Sequence, residues 1–123
     1  MITTIMALFE NVPLSIARKR LIDSVVSEYT LVLDYNTIIP EDFIKKAMKM
    51  LKDNKRLACV AIPHTRSLHP VFGCSIWKTF ILKSLYNWKG TEGSCECCHM
   101  FKKVRESGYK VGTILGMVAR HRG

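Results

Sequence analysis

Tyr29-Thr30-Leu31-Val32-Leu33-Asp34-Tyr35-Asn36-Thr37 is the stretch whose reading decides the fold. Its first five residues favour extended backbone and show no alternation of polar and apolar. That pattern belongs to a strand buried on both faces, the kind found in parallel sheets with helices on either side. The run stops at Asp34, Tyr35 and Asn36, so polar side chains stand just past the carboxyl end of a buried strand. In open α/β sheets, ligands collect at such ends.

Reading outward from this strand, helices and strands alternate. Upstream, residues 14–26 carry Ile16, Ala17, Leu21 and Val25 at helical spacing. Before them, residues 2–9 form an apolar, β-rich run, which Asn11, Val12 and Pro13 interrupt. Downstream, Pro40 is placed to open a helix, with Glu41 and Asp42 complementing its positive end. Phe43, Ala47, Met48 and Leu51 supply that helix's buried stripe, and Lys45, Lys46, Lys49 and Lys52 its wet face. A third strand follows over 57–62. Residues 63–73 read as irregular and 77–85 as a short helix. Residues 87–94 read as a loop and 96–107 as a helix stopped by Gly108. Residues 109–115 make a last strand. The alternation predicts an α/β domain: a three-layer sandwich around a mostly parallel sheet.

A chain of 123 residues is room for one domain. Hydrophobic residues make up 48% and charged residues 24%, which excludes extended disorder and permits an ordinary core. No apolar run is long enough to span a membrane. The apolar N-terminus has no basic flank and no small-residue cleavage site, so it does not read as a signal peptide. The charge is uneven. Residues 1–62 hold 9 basic and 7 acidic groups, and residues 63–123 hold 10 basic and 3 acidic groups. A basic second half suits anionic partners such as phosphates, nucleic acid or an anionic membrane surface, and it also suits plain solubility. The basic residues are scattered without a nucleic-acid-binding motif, which makes nucleic acid the weaker reading.

Three groups of residues could carry chemistry. Asp34 and Asn36 sit one residue apart in an extended segment and so point the same way. Two hard oxygen ligands can share a divalent cation that also holds a diphosphate. By spacing alone, an Asx turn that leads into the next helix is the favoured reading of the same residues. Ser15 to Arg20 lies at a helix start, where amides and basic side chains suit an anion, although Lys19 and Arg20 also suit a solvated face. Cys95, Cys97, Cys98 and His99 could form a soft metal site, but the chain has no second cysteine pair at zinc spacing. Free thiols at a helix start are the alternative. Five cysteines, three of them crowded together, make a poor disulfide framework. The expected compartment is therefore reducing and cytoplasmic, with the membrane surface as a possible place of action.

The order Ala17-Arg18, then Tyr29 to Thr37, then Pro40 to Phe43 resembles the centre of the family 2 glycosyltransferases of GT-A fold. In that family an Ala-Arg-Asn helix precedes a strand ending in Leu-Asp-x-Asp. Phe72-Gly73-Cys74-Ser75-Ile76-Trp77-Lys78 resembles the family's Gly-rich acceptor loop. Glu96-Cys97-Cys98-His99-Met100 resembles its Glu-Asp-x-Asp-Leu motif, and Arg120-His121-Arg122 its terminal His-Arg. The resemblance runs in order over residues 11–122. It implies a GT-A-like domain over residues 1–123 that lacks the first strand–helix–strand unit. It also implies a partner chain, either a second copy or a complementing one, on the exposed sheet edge.

That resemblance further implies a transferase that binds a nucleoside-diphosphate sugar with Mn²⁺ or Mg²⁺. The acceptor would be a glycan, a lipid phosphate or a protein. The implied metal ligands are Asp34, Asn36 and His121. Arg18, Asp34, Asn36, Arg120 and His121 would hold the donor. Lys78 and Arg122 would face phosphate or acceptor, and Trp77 or Trp88 could stack on a sugar. Asn36 stands where the family has its second aspartate, and Cys97 where it has its catalytic base. Glu96 and His99 are the possible substitutes for that base. Those departures leave open a second reading, a domain that keeps the fold and has lost the chemistry.

Overall fold

A computed structural model describes residues 1–7, 12–65, 67 and 69–121. In chain order the elements are β1 (Ile2–Ile5), α1 (Leu14–Ser24), β2 (Tyr29–Leu33), β3 (Thr37–Ile38), α2 (Phe43–Asp53) and β4 (Leu57–Pro63). They continue with β5 (Pro70–Lys78), α3 (Thr79–Leu85), α4 (Glu96–Glu106), β6 (Lys110–Gly112) and β7 (Arg120–His121). β2 matches its expected bounds, and all five of its residues are buried. The strand expected over 2–9 ends at Ile5, and its last expected residues, with Asn11, lie outside the described residues.

The main sheet has five strands in the order β1-β2-β5-β4-β6. β1 pairs parallel with β2, and β4 parallel with β6. β5 lies between β2 and β4 and is antiparallel to both. Four strands therefore share one direction and β5 alone opposes them. β3 and β7 form a separate two-stranded sheet, pairing Thr37 with His121 and Ile38 with Arg120. Neither short strand was anticipated.

β5 is the main departure from expectation. Residues 70–73 are strand and not part of an irregular stretch, and Phe72-Gly73 is not a Gly-rich loop. Both belong to a hairpin that sends β5 back through the middle of the sheet. Gly73 and Ser75 interrupt the apolar pattern and hide the strand. The fold absorbs both. Ser75 Oγ donates to Phe72 O at 2.6 Å and accepts Trp77 Nε1–H at 2.8 Å, so its buried hydroxyl is satisfied. Trp77 is fully buried, stacks on Phe101 and meets Phe72 at a tilt, so it is core and not a surface for a sugar. α2 also starts later than Pro40, at Phe43, after Asp42 turns through a left-handed φ of 67°.

Two apolar clusters flank the sheet. One joins Ile22 of α1, Ile81 and Leu82 of α3, and Met100, Phe101 and Val104 of α4 to Val32, Phe72 and Trp77 of the sheet. The other joins Phe43, Ala47 and Leu51 of α2 to Leu31, Leu33, Val60, Ile62 and Ile76. The alternation within β2 is thus between two cores, not between core and water, which is why its residues are all apolar or β-branched. Among the described residues, no helix is long and apolar enough to cross a membrane.

Candidate functional site

The parallel strands point their carboxyl ends at one edge, and a cavity of about 440 Å³ opens there. Its lining comes from separate elements. Ala7 follows β1, and Leu14 starts α1. Asp34, Tyr35, Asn36 and Thr37 follow β2. His64 and Ser67 lie in the β4–β5 turn, Val71 is in β5, and Cys97 is in the first turn of α4.

Asp34 is held in place by its surroundings. Its backbone N–H donates to Gly73 O at 2.8 Å, which draws the start of β5 against it. A Cβ on Gly73 would overlap the Asp34 carboxylate, so this close approach requires glycine. Arg18 Nη2 donates to Asp34 Oδ1 at 3.0 Å. The Asp34 side chain nevertheless stays 56% exposed and faces the cavity.

Behind Asp34 lies a buried charge network that joins residues far apart in sequence. Arg18 is 1% exposed. Its Nη2 reaches Glu96 Oε1 at 2.9 Å and its Nε reaches Glu96 Oε2 at 3.2 Å, a two-point contact. Tyr86 donates its hydroxyl to Glu96 Oε2 at 2.6 Å, and the Phe72 ring lies 5.3 Å from the guanidinium carbon. Burial opposes the charge on Arg18, but Glu96 and then Asp34 outweigh it and raise its pKa. Burial, reinforced by Glu96, pushes the Tyr86 hydroxyl strongly up, so it stays a donor. Arg18 Nη1 is buried without a partner among the described residues.

The structure brings some predicted site residues together and separates others. Arg18, Asp34 and Glu96 form one network. Asn36 and Cys97 share the cavity with Asp34. Glu96 is buried and committed to Arg18 and Tyr86, which makes it a positioning residue for Asp34 through Arg18. Cys97 Sγ accepts the Phe72 N–H at 3.2 Å, and burial pushes its thiol up to about 11. At neutral pH that thiol keeps its proton. His99 lies outside the cavity lining, with Nε2 at 2.7 Å from Asn87 Oδ1.

Arg120 is exposed on β7 and does not line the cavity. The backbone of His121 pairs with Thr37, while its side chain and Arg122 lie outside the described residues. Lys78 is not near Asp34. It pairs with Tyr29 at the other end of β2, because β5 runs antiparallel. Tyr86 and His64 were missed. Tyr86 follows a short helix, and nothing near it in sequence signals a buried carboxylate partner. His64 sits in the turn that was read as irregular. Among the described residues, no group of three or more His, Cys, Asp or Glu is arranged to hold a metal by itself.

No protein-family model matches the sequence, and no curated protein matches it. Among solved structures the chain is similar to the bifunctional IspDF of Campylobacter jejuni, with a TM-score of 0.55 and 13% identity. The match covers 84% of this chain and 30% of that one, so the chain spans less than a third of the protein it resembles. This corrects the family expectation. The structural likeness is to IspDF and not to the family 2 glycosyltransferases. What the comparison shows is the architecture: a mixed α/β domain built on a five-stranded, mostly parallel sheet.

Proposed function

We propose that the chain is a nucleotide-binding, transferase-like domain that holds a nucleotide's phosphates in the cavity at Asp34. The observation that carries this reading is Asp34 itself. It is an exposed carboxylate at the carboxyl edge of the sheet, locked by a buried arginine and a glycine contact. Such rigidity suits a residue that positions a ligand. The shared fold with a nucleotide-transferase domain supports the same reading.

The charge at the site bears on the form of that ligand. One arginine faces two carboxylates, Asp34 and Glu96, so the network carries an excess negative charge. A bare polyphosphate would meet repulsion there. A phosphate already neutralised by a divalent cation would not, and Mg²⁺ commonly binds through one or two carboxylates plus substrate phosphates. Asp34 fits that role, because Arg18 engages only its Oδ1, and Asn36, in the turn that follows, lines the same cavity. When bound, the cation would screen phosphate charge. The protein's own contribution is to orient Asp34 through Arg18, Glu96 and Tyr86.

Transfer, if catalysed here, takes an acceptor whose attacking oxygen is already ionised or uses a side chain of the cavity wall that the sequence reading missed, His64. Of the residues considered as bases, Glu96 is tied to Arg18, Cys97 keeps its proton, and His99 lies outside the cavity. The commitment of those same groups favours a second reading, in which the nucleotide is bound without turnover.

Calorimetric titration with ATP, CTP, GTP and UTP, with and without Mg²⁺, tests the proposal. The expected result is Mg²⁺-dependent binding of at least one nucleotide, weakened at least about tenfold (~1.4 kcal/mol) by Asp34→Asn. No binding by any of the four, or equal affinity in the variant, overturns it. Turnover assays with phosphate-bearing acceptors then separate transfer from binding alone.

A further inference from the structure

The five cysteines occupy three kinds of environment. Cys59 and Cys74 lie in the core, where burial drives both thiols up, Cys74 to about 12. Cys97 faces the cavity and is engaged with the Phe72 N–H. Cys95 and Cys98 are the exposed pair. They stand at the C-x-x-C spacing on the first turn of α4, with Cys95 as its capping residue.

The geometry brings the Cys95 sulfur to the backbone of Cys98. Cys98 donates its backbone N–H to Cys95 Sγ at 3.3 Å, so the Cys95 sulfur folds back over residue 98. Partial burial opposes ionisation of Cys95, but the backbone and thiol of Cys98, together with Cys97, outweigh it and lower the Cys95 pKa. The positive helix end acts in the same direction. Cys98 shifts the opposite way, because the neighbouring Cys95 sulfur opposes its ionisation. One acidified thiol in water, beside a partner that keeps its proton, is the division between attacking and resolving cysteines in thiol–disulfide exchange.

A metal explains the pair less well. A closed thiolate site needs four ligands. His99, the nearest further ligand in sequence, turns its ring to Asn87, and Cys97 is engaged with Phe72.

We propose that Cys95 and Cys98 form a reversible dithiol–disulfide centre that exchanges with low-molecular-weight disulfides of the glutathione class. The Cys95 thiolate attacks one sulfur of the incoming disulfide, forming a mixed disulfide and expelling one thiolate. Cys98 gives its proton to that leaving thiolate and attacks Cys95 Sγ. The Cys95–Cys98 bond forms and the second thiol departs. The protein loses two electrons, and the small disulfide gains them as two thiols. Excess reduced thiol drives the reverse. This centre does not depend on nucleotide binding.

The test equilibrates the full chain in buffers of reduced and oxidised glutathione and reads intact mass and peptide maps. Circular dichroism checks that each variant is folded. The wild type is expected to lose two hydrogens in one reversible transition and to map as Cys95 linked to Cys98. Cys98→Ser is expected to stop with one glutathione on Cys95. Cys95→Ser abolishes the transition, and Cys97→Ser keeps it. Iodoacetamide at neutral pH should alkylate Cys95 at least about tenfold faster than Cys98 in the reduced protein. A link through Cys97 or between chains, a stable glutathione adduct on the wild type, a wild type that stays reduced throughout, or equal alkylation rates would each overturn the proposal.

Discussion

The two edges of the sheet handle charge in opposite ways. At the carboxyl ends of the parallel strands, Arg18 is withdrawn from water and held by Glu96 and Asp34 within 3.2 Å. At the other edge, Lys52, Lys55 and Lys78 line an open depression of about 500 Å³ with Glu28 and Phe80, and Lys78 spends a hydrogen bond on the Asn54 carbonyl. The first edge has few charges and fixed geometry. The second has more charges, and their solvation leaves them loosely placed. A count of basic residues along the chain therefore does not locate either edge, since Lys52 and Lys55 come from the first half and Lys78 from the second. Among the described residues, no lysine or arginine of the second half lines the cavity, and the cation behind Asp34, Arg18, comes from the less basic first half. Depth of burial, and not the number of charges, marks where electrostatics shapes a site.

The comparison can be broken most directly at its centre. Arg18→Met leaves Glu96 buried without its cation. The expected cost is about 3–5 kcal/mol, read as a large fall in the urea midpoint. A loss under about 1 kcal/mol would mean that the network contributes no more than a surface pair.

Tyr86→Phe removes one hydrogen bond to the same buried carboxylate, at a cost of about 1.5–3 kcal/mol. Chemical denaturation measures this. If the loss is much smaller, water replaces the hydroxyl and the network is wetter than the geometry indicates.

Gly73→Ala forces Asp34 or β5 to shift, with an expected cost of about 1–3 kcal/mol. It also misplaces Asp34, so Mg²⁺-nucleotide affinity should fall with it. Unchanged affinity would show that the Asp34 position is not needed for binding.

Lys78→Ala sharpens the contrast from the other edge. Stability should change by less than about 0.5 kcal/mol, and nucleotide affinity should match wild type in the same titration. A clear loss of affinity would move the phosphate site to the opposite edge.

Much of this arrangement was legible residue by residue. The unbroken run of β2 told of two cores, and the aspartate closing it told where a ligand could sit. Both signals are local, because burial on two faces removes polar residues from the strand and returns them at its end. β5 was illegible because Gly73 and Ser75 break its pattern. Gly73 is explained only by the distant carboxylate of Asp34, and Ser75 by hydrogen bonds to Phe72 and Trp77 of its own strand, which the residue types alone do not announce. The role of Glu96 was also beyond local reading. Motif spacing placed it beside a catalytic base, while its actual partners are Arg18, 78 positions away in sequence, and Tyr86.

By itself, then, the sequence determined the class of the domain, the double-sided burial of β2 and the candidacy of Asp34 and Arg18. Periodicity and charge in short windows carry that information. Only the tertiary structure decided the direction of β5, which sent Lys78 away from the site, and the pairing of Arg18 with Glu96, which turned a suspected base into an anchor. Strand direction and buried ion pairs depend on contacts between residues distant along the chain, and no local pattern records which distant carboxylate will meet a buried cation.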